Sequence, residues 1–154
     1  MLAEVMVDRF PRKDTARQPY NLPAAARLGL EILDNAHEAL LGRLNAAHRA
    51  LSAGDEASAR LLLEGLGADL ATHFDIEEQI MLAMGFRGMR DHVRCHAASA
   101  SQVEAVYRAS LKRGALQIGD LDLCFQALLD EILRSDLDLK SHLQEMTSLR
   151  AARS

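Results

Sequence analysis

The sequence contains no tryptophan, and aromatic residues make up only 4% of it. Three prolines and nine glycines are too few for a sandwich of many short strands with a tight turn every few residues. No apolar run reaches the roughly 18 residues a transmembrane helix requires, so none is expected. A net charge of −4 offers no basic footprint for nucleic acid, and none for a membrane surface. The segment from Met1 to Phe10 lacks a positive stretch followed by an apolar one, which predicts no secretory signal. The two cysteines, Cys95 and Cys124, do not form a C-x-x-C pair. They are expected as free thiols of a cytoplasmic protein.

What is abundant is helical. Hydrophobic residues reach 49% and charged residues 26% over 154 residues, enough for one domain with a core. Pro11, Pro19 and Pro23 interrupt the start of the chain, so residues 1–23 read as an N-terminal arm and residues 24–150 as the folded unit. From about Ala24, Leu30, Leu33, His37, Leu40, Leu41, Leu44, His48 and Leu51 recur at three- and four-residue steps. Ser52-Ala53-Gly54-Asp55 stops this first helix. A second is expected over 56–84, with Leu62, Leu66, Leu70, His73, either Ile76 or Glu77, Ile80 and Met84 on its inner face. Gly85-Phe86-Arg87-Gly88 breaks it. A third spans about 90–112. A fourth runs over about 119–149, with Asp120 as its N-cap and Leu121, Cys124, Leu128, Ile132, Leu139 and Leu143 as its stripe. Four helices joined by short turns make an all-α, up-down-up-down four-helix bundle.

Several residues interrupt these apolar stripes. His73 and Glu77 stand four apart, and His92 and His96 repeat that spacing on the next helix. Residues at i and i+4 share one helix face. Taken singly, a histidine on an apolar face is a satisfied core or boundary residue, and His73 with Glu77 is a surface pair contributing about 0.2–0.5 kcal/mol. Two stacked histidines gain nothing structurally and repel when charged, unless a metal binds both as neutral imidazoles. Together, His37, His73, Glu77, His92 and His96 would bury ionisable groups at several kcal/mol each without partners. A metal cluster in the bundle core satisfies them all. Met6, Met81, Met84 and Met89 read as core or turn contacts, Cys124 as packing, and Cys95 as pointing away from its histidine neighbours. His48, three turns beyond His37, reads as a non-ligand.

With these residues in hand, the chain resembles the hemerythrin family, in its bacterial branch. Gly29-Leu30-Glu31-Ile32-Leu33-Asp34-Asn35-Ala36-His37 is similar to the family's G-I-x-x-I-D-x-Q-H. His73, Phe74, Glu77, Glu78 and Met81 spell H-F-x-x-E-E-x-x-M, and His92 and His96 supply H-x-x-x-H after the Gly85-Phe86-Arg87 turn. The resemblance covers about residues 27–143. On the fourth helix the family pattern W-L-x-x-H-I-x-x-x-D-x-x-L falls on Ala127-Leu128, Glu131-Ile132, Asp136 and Leu139. The last family histidine is therefore Glu131 here, and the tryptophan Ala127. A rival register recruits His142, but it puts Thr147 in the carboxylate slot. Asp138 and His142 also run in reverse order to the motif. Glu131 and Asp136 can alternatively be read as part of a solvated acidic face with Asp130 and Asp138.

The resemblance implies a non-haem di-iron centre, two Fe ions joined by an oxo or hydroxo bridge, with manganese a chemical alternative. One iron would take His92, His96 and Glu131, the other His37 and His73, and Glu77 and Asp136 would bridge them. The second iron then keeps an open position for O2, peroxide or NO. Glu131 adds an anionic oxygen donor, which favours Fe(III) and predicts a lower potential and fast autoxidation. Ala127 predicts a wider ligand pocket. Both departures lean from a carrier or sensor toward a di-iron enzyme of peroxidase, NO reductase or ferroxidase type, served by an electron donor that the sequence does not identify. A purely structural bundle without metal is the third reading.

Overall fold

The computed structural model describes residues 18–154; readings made on Met1–Phe10, Met6, Pro11 and the polar run 12–17 lie outside them. Four antiparallel rods pack in sequence order, joined by short turns. They are α1 (Glu31–Ser52), α2 (Glu56–Met84), α3 (Met89–Arg113) and a fourth rod in three parts, α4 (Ile118–Glu131), a π-helical turn (Ile132–Asp136) and α5 (Leu137–Arg153). No strand occurs among the described residues. The expected four-helix bundle is the fold found. None of these helices is long and apolar enough to cross a membrane.

The helix ends follow local chemistry. Asp55 caps α2 by accepting the Ser58 amide at 3.1 Å. Gly85 ends it in the left-handed region (φ 64°), where its N–H and that of Phe86 take up the last carbonyls of α2. Asp120 is not the N-cap expected of it. Gln117 holds that place, and Asp120 sits at the third helical position, accepting the Gln117 N–H at 2.8 Å in a capping box that Arg113 clasps from outside.

The first helix starts at Glu31 rather than at Ala24. Ala24–Ala26 form a single 3-10 turn, and Gly29 takes φ 81°, a backbone turn that no helix accommodates. Asp34 fixes the turn by accepting the Leu28 and Gly29 amides at 2.8 and 3.1 Å. Upstream, Tyr20 is buried. Its N–H donates to Asn45 Oδ1 at 3.0 Å, the Asn45 amide donates back to its carbonyl at 2.9 Å, and its hydroxyl donates to Asp122 at 2.7 Å. Residues 18–28 are thus a strap pinned along α1.

Two apolar clusters make the core. The larger joins Leu40, Leu44, Leu66, Leu70, Phe74, Val103 and Leu128 with their neighbours; the smaller joins Leu28, Leu33, Met81 and Leu139, with Phe86 and Met89 packed on it. Along every rod the chain passes from one cluster to the other through polar residues. His37 lies between Leu33 and Leu40, Glu77 between Phe74 and Met81, and Asp136 between Leu128 and Leu139. A polar layer therefore crosses the bundle between two apolar ones. In α2 the inner face carries Leu63 and Glu77 fully buried, while Ile76 is turned outward. Leaving isoleucine in water while burying a carboxylate runs against hydrophobic partition, so the polar layer has a strong compensating attraction. Cys124 is packed in the larger cluster, where burial and the Asp120 charge push its thiol up to about 12. Cys95 is half-buried, and both thiols are free.

Candidate metal centre

All seven residues expected from the sequence meet in the polar layer: His37, His73, Glu77, His92, His96, Glu131 and Asp136, each buried. They form two overlapping groups. Glu77, His92, His96, Glu131 and Asp136 offer ligand atoms all within 4.8 Å of one another, as do His37, His73, Glu77 and Asp136. Burial rules out the solvated acidic face as the setting of Glu131 and Asp136. The i, i+4 spacing on α2 and α3 delivers four of the side chains, because both members of each pair share the inner face.

Glu131 and Asp136 arrive differently. On a regular helix of about 3.6 residues per turn, five residues carry a side chain about 140° past its starting face. Here Ile132–Asp136 adopt the wider π turn, which returns both carboxylates to the core. Ser135, inside that turn, donates from Oγ to the Glu131 carbonyl at 2.8 Å and to Glu131 Oε1 at 3.1 Å.

The two shared carboxylates each split their oxygens between the groups. Glu77 sets Oε2 at 3.2 Å from His73 Nε2, and Oε1 at 2.5 Å from His92 Nε2 and 3.4 Å from His96 Nε2. Asp136 sets Oδ2 at 3.1 Å from His37 Nε2 and Oδ1 at 2.8 Å from His92 Nε2. Glu131 Oε1 faces only the group that holds His92 and His96, 3.3 Å from His96 and 3.6 Å from His92. His37 and His73 bring their Nε2 atoms within 3.1 Å of each other.

Apart from the His37–His73 pair, these close approaches lack hydrogen-bond geometry. Both oxygens of Glu77 and of Asp136, and Nε2 of His92 and His96, are buried with no hydrogen-bond partner. Leaving so many buried polar atoms unsatisfied costs about 1–3 kcal/mol each, and more for charged groups. Cations placed among them would satisfy every one, so the donor set fits a pair of metal ions. With neutral imidazoles the layer carries three carboxylate charges and no counter-charge of its own.

Protonation responds to that imbalance. Burial pushes His92 and His96 down, but the carboxylates outweigh it: Asp136 and Glu77 lift His92 to about 9, and Glu131, Glu77 and Glu78 lift His96 to about 10. Burial raises Glu77, yet the imidazoles of His73, His92 and His96 hold it well below the usual carboxylate range. For Asp136, burial together with the Glu131 and Glu77 charges outweighs His92, and the carboxyl stands well above its ordinary value. Burial keeps His37 below its ordinary value despite Glu77 and Glu131.

The surroundings include residues that motif spacing did not single out. Glu78 Oε1 lies 2.9 Å from His96 Nδ1 and fixes that ring from behind. Phe74 stacks on His96 with centroids 3.9 Å apart. Both are within the H-F-x-x-E-E run, so the signal was present, but only folding shows which ring each one meets. His142 stays outside the cluster, edge-on to Phe86 at 5.3 Å, so the rival register is not the arrangement found. His48 also stays outside, against Tyr20 and Ser52. Ala127 packs into the larger apolar cluster, and the cavities described below lie elsewhere rather than over it.

Fold and site together define a helical bundle built around a buried histidine–carboxylate cation site. The chain belongs to the hemerythrin family: the family model for the hemerythrin HHE cation-binding domain matches residues 28–148. Comparison with curated proteins and with solved structures found no match.

Proposed function

We propose that the protein is a non-haem di-iron protein of bacteriohemerythrin type that binds a small ligand, O2, peroxide or NO, inside the bundle. One observation carries this reading. Glu77 and Asp136 belong to both groups of ligand atoms and turn one oxygen to each. Carboxylates presented in this way would help to hold a pair of ions rather than one. His92, His96 and Glu131 would complete one ion's donors, and His37 and His73 the other's. The His37–His73 side has fewer protein donors, which leaves room there for an exogenous ligand. A pair of iron ions in this setting supplies reversible binding or electron transfer to that ligand.

The residues around the ions have separate tasks. Leu33, Met81 and Leu139 below the layer and Leu70, Phe74 and Leu128 above it keep bulk water out and lower the local dielectric. Glu78 holds the His96 ring and makes it a better donor, while Ser135 steadies Glu131. Glu131 adds a third anionic charge, which stabilises the higher oxidation state. That favours redox turnover, of peroxidase, NO reductase or ferroxidase type with an external electron donor, over long-lived storage of O2. It is the observation behind the second reading, a di-iron enzyme.

Anaerobic reconstitution with iron tests both. We expect about two iron ions per chain, and a near-ultraviolet charge-transfer band on oxidation. Stopped-flow mixing of the reduced protein with O2 separates the readings. An adduct stable for minutes supports carriage and counts against the enzyme, whereas Glu131→His should slow oxidation if the extra carboxylate drives it. A chain that takes up no iron and no manganese is a structural bundle.

A further inference from the structure

A groove of about 390 Å³ runs between the strap and α1, and His37 forms part of its wall. It thereby ends on the back of a ring that belongs to the group with fewer protein donors. An apolar groove of about 310 Å³ between α2 and α3, lined by Leu63, Leu70, Ala100, Val103 and Tyr107, touches none of the seven cluster residues. A smaller cavity of about 120 Å³ reaches His92, in the other group.

The walls of the His37 groove are mixed: Gln18, Asn21, Arg27, Asp34, Glu38 and Arg49 supply polar groups between apolar stretches that include Leu22, Pro23, Ala26 and Leu41. His37 itself is 1% exposed, with Nε2 turned into the cluster and Nδ1 buried without a hydrogen-bond partner. An imidazole that ligates through Nε2 carries its proton on Nδ1, and that N–H requires an acceptor. The protein gives His96 such a partner in Glu78 and gives none to His37, His73 or His92, and of these three only His37 lines this groove. The outer wall of the groove is the strap, pinned at one end by the Tyr20–Asn45 and Tyr20–Asp122 bonds and at the other by Asp34 on Leu28 and Gly29.

We propose that this groove is the passage by which a small polar, hydrogen-bonding ligand of the class of hydrogen peroxide reaches the His37–His73 side, with the strap as its outer wall. The proposal rests on the reading of the cluster as a dinuclear metal site. The polar groups along the wall favour a ligand that can hydrogen-bond to them. Dioxygen is apolar and gains nothing from amides, carboxylates and guanidinium groups, whereas hydrogen peroxide both donates to and accepts from them. The Nδ1–H of His37 adds a donor next to the metal side.

Gly42 offers a clean test. It lines the groove, it lies within α1, and a Cβ there would meet nothing within 4 Å. Gly42→Leu should narrow the passage without strain, and leucine is the better helix former. In metal-free protein, carbethoxylation by diethyl pyrocarbonate, read residue by residue by mass spectrometry, reports access to His37, with His142, outside both the cluster and the groove, as internal reference. We expect Gly42→Leu to slow modification of His37 several-fold, to leave His142 unchanged, and to leave the melting temperature equal or higher. Asn45→Ala, which unpins the strap, should speed modification of His37 several-fold. Equal His37 rates in wild type and Gly42→Leu, or no modification of His37 in wild type, overturn the passage. In iron-loaded, reduced protein, Gly42→Leu should slow oxidation by hydrogen peroxide more than oxidation by O2. Equal slowing, or slowing of O2 alone, overturns the assignment to peroxide. A chain that binds no metal overturns the dinuclear reading and the ligand with it, and is told apart by a labelling pattern that still follows the groove.

Discussion

Metal loading should release protons, and their number follows from the site. In the metal-free protein the carboxylates lift His92 to about 9 and His96 to about 10. At pH 7.5 both imidazoles are therefore almost fully protonated, whereas a ligating imidazole is neutral. Binding of a redox-silent divalent ion such as Zn2+ must displace about two protons from these residues. Each displaced proton contributes about 1.36 kcal/mol to the free energy of loading per pH unit. Between pH 7 and 8 the overall affinity should thus rise about a hundredfold from the two imidazoles alone. Isothermal calorimetry in buffers of different ionisation enthalpy counts the protons directly. Glu131→Gln supplies the internal control. Glu131 is the foremost of the carboxylates lifting His96, so its removal should reduce the count. Release of no protons at pH 7.5, together with an affinity flat between pH 7 and 8, would refute the argument that the imidazoles exchange protons for metal.

Other outcomes follow from the same contacts. The metal-free protein should lose stability as pH rises from about 6.5 to 10: folded-state values of about 9 and 10 lie above the unfolded value of about 6.5, so the contribution is full below 6.5, falls steadily above it and is gone beyond 10. Thermal melts across that range check it, and metal-loaded protein should show no such fall. Glu78→Ala removes the partner of His96 Nδ1 and should weaken metal binding by about 10- to 100-fold, read by chelator competition, with Glu78→Gln retaining most of the affinity. Leu33→Ala opens a cavity in the smaller apolar cluster and should cost about 2–5 kcal/mol in denaturant unfolding of metal-free protein, while the metal-loaded protein still binds about two ions.

The bundle and half of its site can be read from spacing. His73 with Glu77, and His92 with His96, share a face on any regular helix, so their convergence needs no knowledge of the fold. The second helix spans residues 56–84 as its sequence predicts, because Asp55 and Gly85 are strong local stops. The first starts later than its sequence predicts, because the alanines before Leu28 favour helix while Gly29 and the Asp34 carboxylate turn the backbone there. Within α2, periodicity left Ile76 and Glu77 as alternatives. Hydrophobicity alone favours burying Ile76, and the structure buries Glu77 because four imidazoles surround the layer.

Glu131 and Asp136 mark the boundary between sequence and tertiary structure. Alternation of apolar and polar residues, helix stops and i, i+4 pairs are local properties, and they determined four rods, their order and the faces that carry His37, His73, His92 and His96. Five-residue spacing is not a local same-face pattern, and only family resemblance pointed to that pair. The π turn at Ile132–Asp136, the division of each shared carboxylate between two groups, and the Glu78 and Ser135 contacts exist only once the rods are packed. Packing decides them because a widened turn is stable only where the carboxylates it redirects find buried counter-charge, and that charge comes from helices distant in sequence.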